Sequence, residues 1–203
     1  MVTTRHGDSV DITLRSYEAA AQRYADQSAE PSPAVCAFLD RFADTVGFGR
    51  VLEVGSGPGM DAAYLEQRGL NVSRTDATPA FVEMMRAAGH QARLLDIRTS
   101  DLGGPLNAIL AQAVLLHLDR AQLADALQRI REAVLDGGVL AFTVKEGGGD
   151  AWSEAKLDLP RHFTYWREHS LRDVLTQTRW AVMSIDHIAG RLEPWLFVMA
   201  RAA

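Results

Sequence analysis

The chain has 203 residues, of which 47% are hydrophobic and 23% charged, a composition typical of one soluble globular domain with a large core. Its formal net charge of −5 disfavours nucleic acid as the main partner, because domains that bind nucleic acid usually carry a basic face. No apolar run approaches the roughly 18–20 residues of a membrane span, so we expect no membrane partner and a cytoplasmic location.

The first 48 residues predict a helical segment ahead of the core. Residues 1–12 show no clear periodicity, and we expect them to be mobile until a ligand or partner orders them. Residues 16–29 have helical spacing, with Tyr17 and Tyr24 on one face. That face indicates either a lid over a ligand or packing against the next predicted helix, residues 34–46.

An apolar strand that breaks into glycines follows this segment. Residues 51–54 are aliphatic apart from Glu53, which indicates a buried parallel strand. Three glycines at alternate positions come next, namely Gly55, Gly57 and Gly59. Glycines let the backbone turn with positive φ and approach a ligand closely. Because a helix is predicted over residues 60–68, backbone N–H groups and the positive end of a helix dipole should face the ligand.

The next two predicted strands end in acids. Residues 70–76 predict a second strand, and Asp76 follows Gly55 by about 20 residues, where a carboxylate can accept both ribose hydroxyls of an adenosine ligand. Residues 91–97 predict a third strand that ends near Asp96. A helix cap or a loop acid is the alternative interpretation of Asp96.

The second half of the chain predicts two more parallel strands and a reversed pair at the end. The predicted elements are a strand at 106–113, an apolar-His-apolar turn at 114–118, a helix at 121–134 capped by Asp119 and stopped by Asp136-Gly137-Gly138, a strand at 139–145, a flexible loop at 146–150, a helix at 170–178 capped by Ser170, and strands at 180–187 and 192–200. The turn between the last two strands is too short for a crossover, so they must run antiparallel.

The glycine turn separates two classes of nucleotide-binding protein. Nicotinamide and flavin folds use G-x-G-x-x-G, with a pyrophosphate on the helix N-terminus. Here the third glycine comes one residue early, and Glu53 would repel a pyrophosphate. The pattern E-x-G-x-G-x-G instead resembles the first motif of class I S-adenosylmethionine (SAM) methyltransferases. The resemblance covers roughly residues 16–200, and it is more specific in this motif than in the later ones.

The resemblance implies an α/β fold with a doubly wound, seven-stranded, mostly parallel sheet, an antiparallel last strand and helices on both faces. It implies one domain over residues 1–203, in which residues 1–48 form a helical lid or cap and residues 49–203 the core. The implied cofactor is SAM, and the implied product is S-adenosylhomocysteine.

The resemblance also implies a set of cofactor-binding residues. Glu53 is expected to hold the cationic methionine end of the cofactor, and Asp96 to approach the adenine amino group while Ile97 packs on the ring. The whole set is Tyr17, Tyr24, Glu53, Gly55, Ser56, Gly57, Gly59, Asp76, Ala77, Asp96, Ile97, Ala113, Val114 and His117.

His117 and Tyr165 are the predicted catalytic residues, and Glu146 and His162 are further candidates for a general base. An imidazole with an ordinary pKa of about 6.5 can take a proton near neutral pH. The alternative for His117 is a backbone hydrogen bond, with its leucine neighbours in the core. Residues 161–167, rich in aromatic and cationic groups, resemble the substrate-facing segment of related enzymes. No metal is expected, because the six histidines form no close cluster with other ligands.

We therefore expect an enzyme that moves a methyl group from SAM to an oxygen, nitrogen or carbon nucleophile of a small molecule. A protein side chain is a less favoured acceptor. The alternatives from other classes are a SAM-binding module without catalysis and a nicotinamide-linked oxidoreductase. The protein is expected to be a monomer or a homodimer.

Overall fold

The computed structural model describes residues 7–28 and 31–203, and in most of the chain strands alternate with helices. The helices are α1 (Gly7–Ala19), α2 (Ala21–Asp26), α3 (Pro33–Val46), α4 (Met60–Gln67), α5 (Pro79–Ala87), α6 (Arg120–Ala133) and α7 (Glu168–Gln177). The strands are β1 (Arg50–Val54), β2 (Asn71–Asp76), β3 (Ala92–Leu94), β4 (Leu106–Ala111), β5 (Val134–Lys145), β6 (Asp150–Ser153), β7 (Arg161–Thr164), β8 (Trp180–Ala189) and β9 (Pro194–Ala202). A 3₁₀ turn covers Leu115–His117.

Within the described residues, seven strands form one sheet in the order β3-β2-β1-β4-β5-β9-β8. The five strands from β3 to β5 are parallel to their neighbours, and β9 lies antiparallel between β5 and β8. The predicted α/β fold with one reversed strand is therefore confirmed. The strand order reverses between β1 and β4, and open α/β sheets bind ligands at the carboxyl ends of strands at such a point.

Apolar side chains cover the sheet on both faces. Leu52 and Val54 of β1 pack into one core, which α6 and α7 cover, whereas Val51 packs into the other. This alternation follows from the two-residue period of a strand. Phe38 and Phe42 of α3 fill the second core and are almost wholly buried. The sheet is thus fixed between two apolar layers, and its strand ends are left to form a site.

Local sequence signals set two of the helix starts. The side chain of Asp119 accepts a hydrogen bond from Gln122 N at 2.8 Å, and the side chain of Gln122 accepts one from Asp119 N at 3.0 Å. This reciprocal pair is a capping box, and it confirms the predicted cap of α6. Ser32 caps α3 by accepting from Val35 N at 3.4 Å.

The N-terminal region differs from the prediction. α1 begins at Gly7, so the prediction of an irregular segment is wrong for residues 7–12, and residues 1–6 lie outside the described residues. The helix predicted at 16–29 is interrupted at Ala20, whose φ of −122° and ψ of 20° are not helical. Residue 29, its predicted last residue, also lies outside the described residues. Polar residues between the apolar ones of α1 hide its periodicity.

Two later boundaries also differ. β3 ends at Leu94 because the chain turns at Asp96, whose carbonyl accepts from Thr99 N at 3.1 Å. The predicted cap at Ser170 is wrong, since α7 already begins at Glu168 after a residue in an extended conformation (φ −92°, ψ 145°).

The Asp-Gly-Gly stop predicted after α6 is instead part of β5. Val134 pairs with Leu106, and the next pair joins Val139 to Ala108, so the intervening residues form a bulge. Gly137 has a φ of +76°, a conformation that glycine adopts at little cost. The glycines therefore bend the strand without ending it.

None of the helices in residues 7–28 and 31–203 has the length and apolar character needed to cross a bilayer.

Phe38 within α3 and Phe48 just after it allow a matched test of the core. Phe38 is 1% exposed and packs edge-on against Phe197 with ring centroids 5.1 Å apart, whereas Phe48 is 86% exposed. Phe38→Ala should lower the free energy of unfolding by about 3–5 kcal/mol. Phe48→Ala should change it by less than about 0.5 kcal/mol. Urea unfolding of both variants measures the difference, and equal losses would contradict the position of Phe38 in the core.

Candidate active site

The carboxyl ends of β1, β2 and β4 open onto a cleft with about 730 Å³ of free space, including its mouth. α1 and α2 cover this cleft. The predicted cofactor residues that line it are Tyr17, Tyr24, Gly55, Gly57, Asp76, Ala77, Asp96, Ile97, Ala113, Val114 and His117. Three other members of the predicted set, Glu53, Ser56 and Gly59, belong to the same strand and turn but do not line the cleft.

The glycine turn is tightly packed at its first position. Gly55 has a φ of +69°, and a Cβ atom there would lie 2.3 Å from Cγ2 of Val114. Any other residue would therefore be strained and would collide with the wall of the cleft. Ser56 supports the turn from behind, where its Oγ accepts from Thr75 N at 3.2 Å. Gly59, with a φ of +90°, leads into α4. The turn presents backbone to the cleft and keeps side chains away from it.

Asp76 lies at the end of β2 with its carboxylate held in one orientation. Its Oδ2 accepts from Gly57 N and its Oδ1 from Thr78 N, both at 2.8 Å. Each carboxylate oxygen can accept more than one hydrogen bond, so the side chain can still receive donors from the cleft. Burial raises the pKa of Asp76, and the backbone hydrogen bonds oppose that rise. The arrangement suits a ligand that brings hydroxyl donors.

Glu53 is buried in β1 without enough hydrogen-bond partners. Its Oε2 has none among the described residues, because the nearby Arg74 binds Glu66 with two bonds of 2.6 and 2.8 Å. Burial, together with the charge of Asp61, raises the pKa of Glu53 to about 8. A cation near Glu53 would stabilise its charged form. Ser56 forms a hydrogen bond with this carboxylate, and the unpartnered Oε2 fits a ligand with a positively charged group over the turn.

Asp96 lines the cleft but is also engaged in an ion pair. Nε and Nη2 of Arg98 bind its carboxylate at 3.0 and 2.7 Å, and Nη2 also binds Asp11 of α1 at 2.8 Å. Burial alone would raise the pKa of Asp96, but the hydrogen bonds from Arg98 outweigh it and lower the pKa. Asp96 thus joins the turn after β3 to the helix that covers the cleft, with Ile97 beside it.

One face of α1 forms the cover of the cleft. Val10, Thr13, Leu14 and Tyr17 line the cleft from positions i, i+3, i+4 and i+7 of the helix. Tyr24 of α2 meets Tyr17 edge-on, with ring centroids 5.4 Å apart. The interruption between the helices lets the two tyrosines meet. Both predicted lid tyrosines therefore lie over the cleft.

Long-range hydrogen bonds hold this cover in place. Thr13 Oγ1 accepts from His162 N at 2.9 Å, and Ser16 Oγ donates to the Pro160 carbonyl at 2.7 Å. Arg23 of α2 donates to the Leu157 carbonyl at 2.7 Å. The cover is thus attached to the segment that leads into β7.

His117, from the 3₁₀ turn after β4, is the centre of a hydrogen-bonded chain. Its Nδ1 lies 2.7 Å from the His162 carbonyl, which can only accept, so Nδ1 carries the proton. Nε2 of the neutral ring then accepts from the Tyr17 hydroxyl at 3.0 Å. The Tyr17 oxygen in turn accepts from Nη1 of Arg161 at 3.4 Å. The sequence left two interpretations of His117, a catalytic group or a side chain held by a backbone hydrogen bond. In the structure His117 makes a backbone hydrogen bond and also lines the cleft.

The pKa of His117 differs from the sequence-based expectation. Burial is the largest cause, and it lowers the pKa to about 4, with the nearby charges of Arg161 and Lys145 acting in the same direction. The expected titration between pH 6 and 7 is therefore wrong for His117. The imidazole is neutral at pH 7.

A second cavity, with about 1960 Å³ of free space including its mouth, adjoins the cleft. The two share the side chains of Tyr17, Tyr24 and His117 and the backbone near Ala113. His117 thus stands where the two spaces meet. A cleft with a nucleotide-type turn beside a larger cavity offers room for two ligands that meet at one point.

Comparison with known protein families identifies the chain. A family model described as a methyltransferase domain matches residues 23–185. The chain belongs to the methyltransferase-domain family. Its fold is that of the class I SAM-dependent methyltransferases, whose cofactor is SAM, as the resemblance in the sequence implied. A sequence comparison with proteins of curated function finds no match.

Solved structures share the fold of this methyltransferase at low sequence identity. The 1,6-didemethyltoxoflavin-N1-methyltransferase of Burkholderia thailandensis, with S-adenosylhomocysteine bound, has a TM-score of 0.79 and 17% identity over 100% of this chain and 92% of its own. The magnesium protoporphyrin IX methyltransferase of Synechocystis PCC 6803, with SAM bound, has a TM-score of 0.74 and 13% identity over 100% of both chains.

A third structure with the same fold is named for a different reaction. The [4+2]-cyclase SpnF has a TM-score of 0.74 and 15% identity, and the match covers 95% of each chain. The fold therefore does not by itself determine the reaction, which has to be argued from the side chains.

The other candidate bases of the methyltransferase lie outside both cavities. The Tyr165 hydroxyl donates to Glu193, and burial together with this bond raises the pKa of Tyr165 to about 12. Glu146 binds Nδ1 of His187 at 2.9 Å. His162 contributes its carbonyl to His117, but its ring does not line the cavities. His117 is thus the candidate base that reaches both spaces.

Some residues that line the cleft are not in the set predicted from the sequence. Val10, Thr13 and Leu14 line the cleft, and their helical spacing was a signal in the segment predicted to be irregular. Phe81 and Gln112 also line it, but nothing in their local sequence indicates a ligand. Among residues 7–28 and 31–203, no group of three His, Cys, Asp or Glu side chains is arranged to hold a metal ion.

The raised pKa of Glu53 makes a prediction about stability. The pKa rises from 4.5 to about 8 on folding, so the stability that protonated Glu53 provides is complete below about pH 4.5 and is lost as the pH rises towards 8. The side chain of Glu53→Gln stays neutral at every pH. The free energy of unfolding of this variant should therefore rise relative to that of the wild-type protein as the pH goes from about 5 to about 8. Urea unfolding without cofactor at both pH values measures this.

The exposed Glu83 provides the control for this comparison, because Glu83→Gln removes an equal charge from the surface. Urea unfolding of this variant over the same pH range measures the effect of removing one surface charge. If the difference between Glu53→Gln and the wild-type protein changes with pH no more than that of Glu83→Gln, the raised pKa of Glu53 is refuted.

Proposed function

We propose that this chain transfers a methyl group from SAM to an oxygen, nitrogen or carbon nucleophile of a small molecule. The observation that carries the proposal is the position of His117, which stands between a cleft with the glycine turn and a second cavity. Two structural neighbours that are named as methyltransferases of small molecules support this choice of acceptor. The family match disfavours the nicotinamide-linked alternative.

The cofactor roles follow from the contacts in the cleft. We assign the cationic methionine end to Glu53, whose unpartnered Oε2 a positive group would keep ionised, and the ribose hydroxyls to Asp76. The turn from Gly55 to Gly59 would let the cofactor approach the backbone. Asp96 and Ile97 lie further along the cleft and would hold the adenine.

The remaining residues of the predicted set complete this assignment. Ala77, Ala113 and Val114 would form the walls around the cofactor. Tyr17 and Tyr24 would act as the inner surface of a lid that belongs to residues 1–48, ahead of a core of residues 49–203.

The protein's part in the reaction is to position the acceptor and to receive its proton. SAM supplies an electrophilic methyl group on a sulfonium. Holding two reactants in line is worth up to about 7–11 kcal/mol of the barrier. A protonated nucleophile also needs a base, and His117 is neutral at pH 7 with a lone pair on Nε2. The Tyr17 hydroxyl already donates to that atom, so it can pass a proton from the acceptor to His117.

The first experiment is to incubate the protein with labelled SAM and a panel of small nucleophiles, and to measure S-adenosylhomocysteine and the methylated product. Product formation is expected with at least one small molecule. Tight SAM binding with no transfer to small molecules or to peptides would instead favour a module without catalysis.

Asp76 offers a test of cofactor binding. Hydrogen bonds to a charged group contribute about 1.5–3 kcal/mol, so Asp76→Ala should weaken SAM binding about ten- to a hundredfold. Asp44→Ala, which removes an exposed carboxylate from α3, should bind SAM as the wild-type protein does. Calorimetry on both folded variants decides, and an unchanged dissociation constant for Asp76→Ala would reject its assignment to the ribose.

His117 offers a test of the reaction itself. A positioned general base contributes about 10²–10⁴ in rate, so His117→Ala should slow methyl transfer at least about a hundredfold while SAM affinity changes far less. Tyr17→Phe keeps the ring but removes the hydroxyl, and it should also slow transfer. Because the base must be deprotonated, the wild-type rate should rise as the pH passes through about 4 and should be flat near neutrality.

Near-normal turnover of His117→Ala with an unchanged pH profile would return this residue to a structural role. The same outcome for Tyr17→Phe alone would leave His117 as the base but reject the relay through the hydroxyl.

A further inference from the structure

The second cavity concentrates positive charge in a protein that is acidic overall. Four cationic side chains and one carboxylate line it, namely Lys145, Lys156, Arg161, Arg191 and Glu193, although the whole chain has a net charge of −5. A cavity with one sign of charge and low-dielectric walls attracts ligands of the opposite sign. The charges are therefore a property of this cavity and not of the surface in general.

Arg161 is the cation that most needs a partner. The residue is 7% exposed, and no carboxylate among residues 7–28 and 31–203 lies within ion-pair distance of it. Its one hydrogen bond in this part of the chain goes to the Tyr17 hydroxyl, and its buried Nε has no partner. A buried charge without a counter-charge is strongly unfavourable, whereas an anion that binds to it restores the balance.

The two lysines of the cavity differ in whether a carboxylate pairs with them. Lys145 forms an ion pair with Glu193 and lies 3.7 Å from the centre of the Phe163 ring. Lys156 lies 3.7 Å from the centre of the Tyr24 ring, without a carboxylate partner among the described residues. Arg161 lies 5.7 Å from the centre of the Tyr17 ring and 5.2 Å from that of Phe163. Arg161 and Lys156 thus contact the lid tyrosines, and neither has a carboxylate partner among the described residues.

We propose that the methyl acceptor carries an oxyanion, a carboxylate or a phosphoryl group, which Arg161 and Lys156 bind in the second cavity. This inference rests on the proposed function and names the substrate class of the same site. The guanidinium of Arg161 presents paired N–H donors that match the oxygens of either group. A hydroxyl or other neutral group would leave the buried charge uncompensated.

The position of Arg161 also limits the size of the acceptor. The Tyr17 hydroxyl alone separates its guanidinium from Nε2 of His117. The oxyanion and the nucleophile must therefore lie within a few bonds of each other in the same molecule. A compact hydroxy acid, or an aromatic acid with a neighbouring nucleophile, has this geometry, and the aromatic rings of Phe163 and Trp195 in the cavity wall suit the latter.

The experiment uses three probes with the same ring but different head groups. Benzoate, phenyl phosphate and neutral benzamide are titrated by calorimetry into the protein saturated with S-adenosylhomocysteine, at constant ionic strength. At least one oxyanion should bind about tenfold or more tightly than benzamide. Comparison of benzoate with phenyl phosphate then shows which of the two oxyanions the cavity prefers.

Charge variants locate the binding. Arg161→Gln should lose about tenfold or more of the oxyanion affinity and Arg161→Lys less, because lysine keeps the charge. Lys156→Gln changes an exposed residue and should show a smaller loss without a risk to folding. Arg86→Gln removes an exposed cation outside both cavities and should leave the affinity unchanged.

Three outcomes would overturn the inference: no binding of either oxyanion to the wild-type protein, equal affinity for benzamide, or full oxyanion affinity in both Arg161→Gln and Lys156→Gln.

A separate SAM titration of the wild-type protein distinguishes failure of this inference from failure of the proposed function. If SAM binds while the oxyanions do not, the inference about the acceptor fails and the proposed function stands. If SAM does not bind, the proposed function fails.

Discussion

The hydroxyl of Tyr17 is the contact on which the arrangement of the site depends. It donates to the imidazole of His117 and accepts from the guanidinium of Arg161, so one atom joins the helix that covers the cleft, the turn after β4 and the start of β7. These three elements come from distant parts of the chain, and the sheet alone would not bring their side chains together. Burial lowers the pKa of His117 and so keeps its ring neutral. Arg161, which is bonded to Tyr17, lines the second cavity with its positive charge. The cover, the candidate base and the cationic wall are thus parts of one hydrogen-bonded unit.

Local sequence predicted the elements whose signals are themselves local. The apolar run around Glu53 and the alternate glycines after it fixed the first strand and turn, and the capping residues placed α6. The short turn between the last two strands required the antiparallel pair of β8 and β9. Periodicity failed in α1, because residues such as Thr13 face a cleft and not an apolar core, and so they can be polar.

What the sequence could not predict depends on contacts between distant residues. Arg161 meets Tyr17 across a separation of 144 positions, and no spacing rule connects them. The pKa of His117 follows from its burial, which a local window does not show. Tyr165 belongs to the dense aromatic and cationic segment, yet its hydroxyl points to Glu193 and its side chain lines neither cavity. Residue type was thus a good guide to the residues that line the cleft, whose turn is local, and a weaker one to those that line the second cavity.

The attachment of α1 has a consequence for the order of events in turnover. Thr13 and Ser16 bind the backbone of the segment around β7, and the same segment carries Arg161 into the wall of the second cavity. If the cofactor binds in the cleft as proposed, a movement of α1 that admits or releases it must break these bonds to the segment around β7. We therefore expect an ordered kinetic mechanism, in which SAM binds before the acceptor and S-adenosylhomocysteine dissociates after the methylated product. The movement of α1 away from the cleft, which breaks these hydrogen bonds, would then be able to limit the turnover rate.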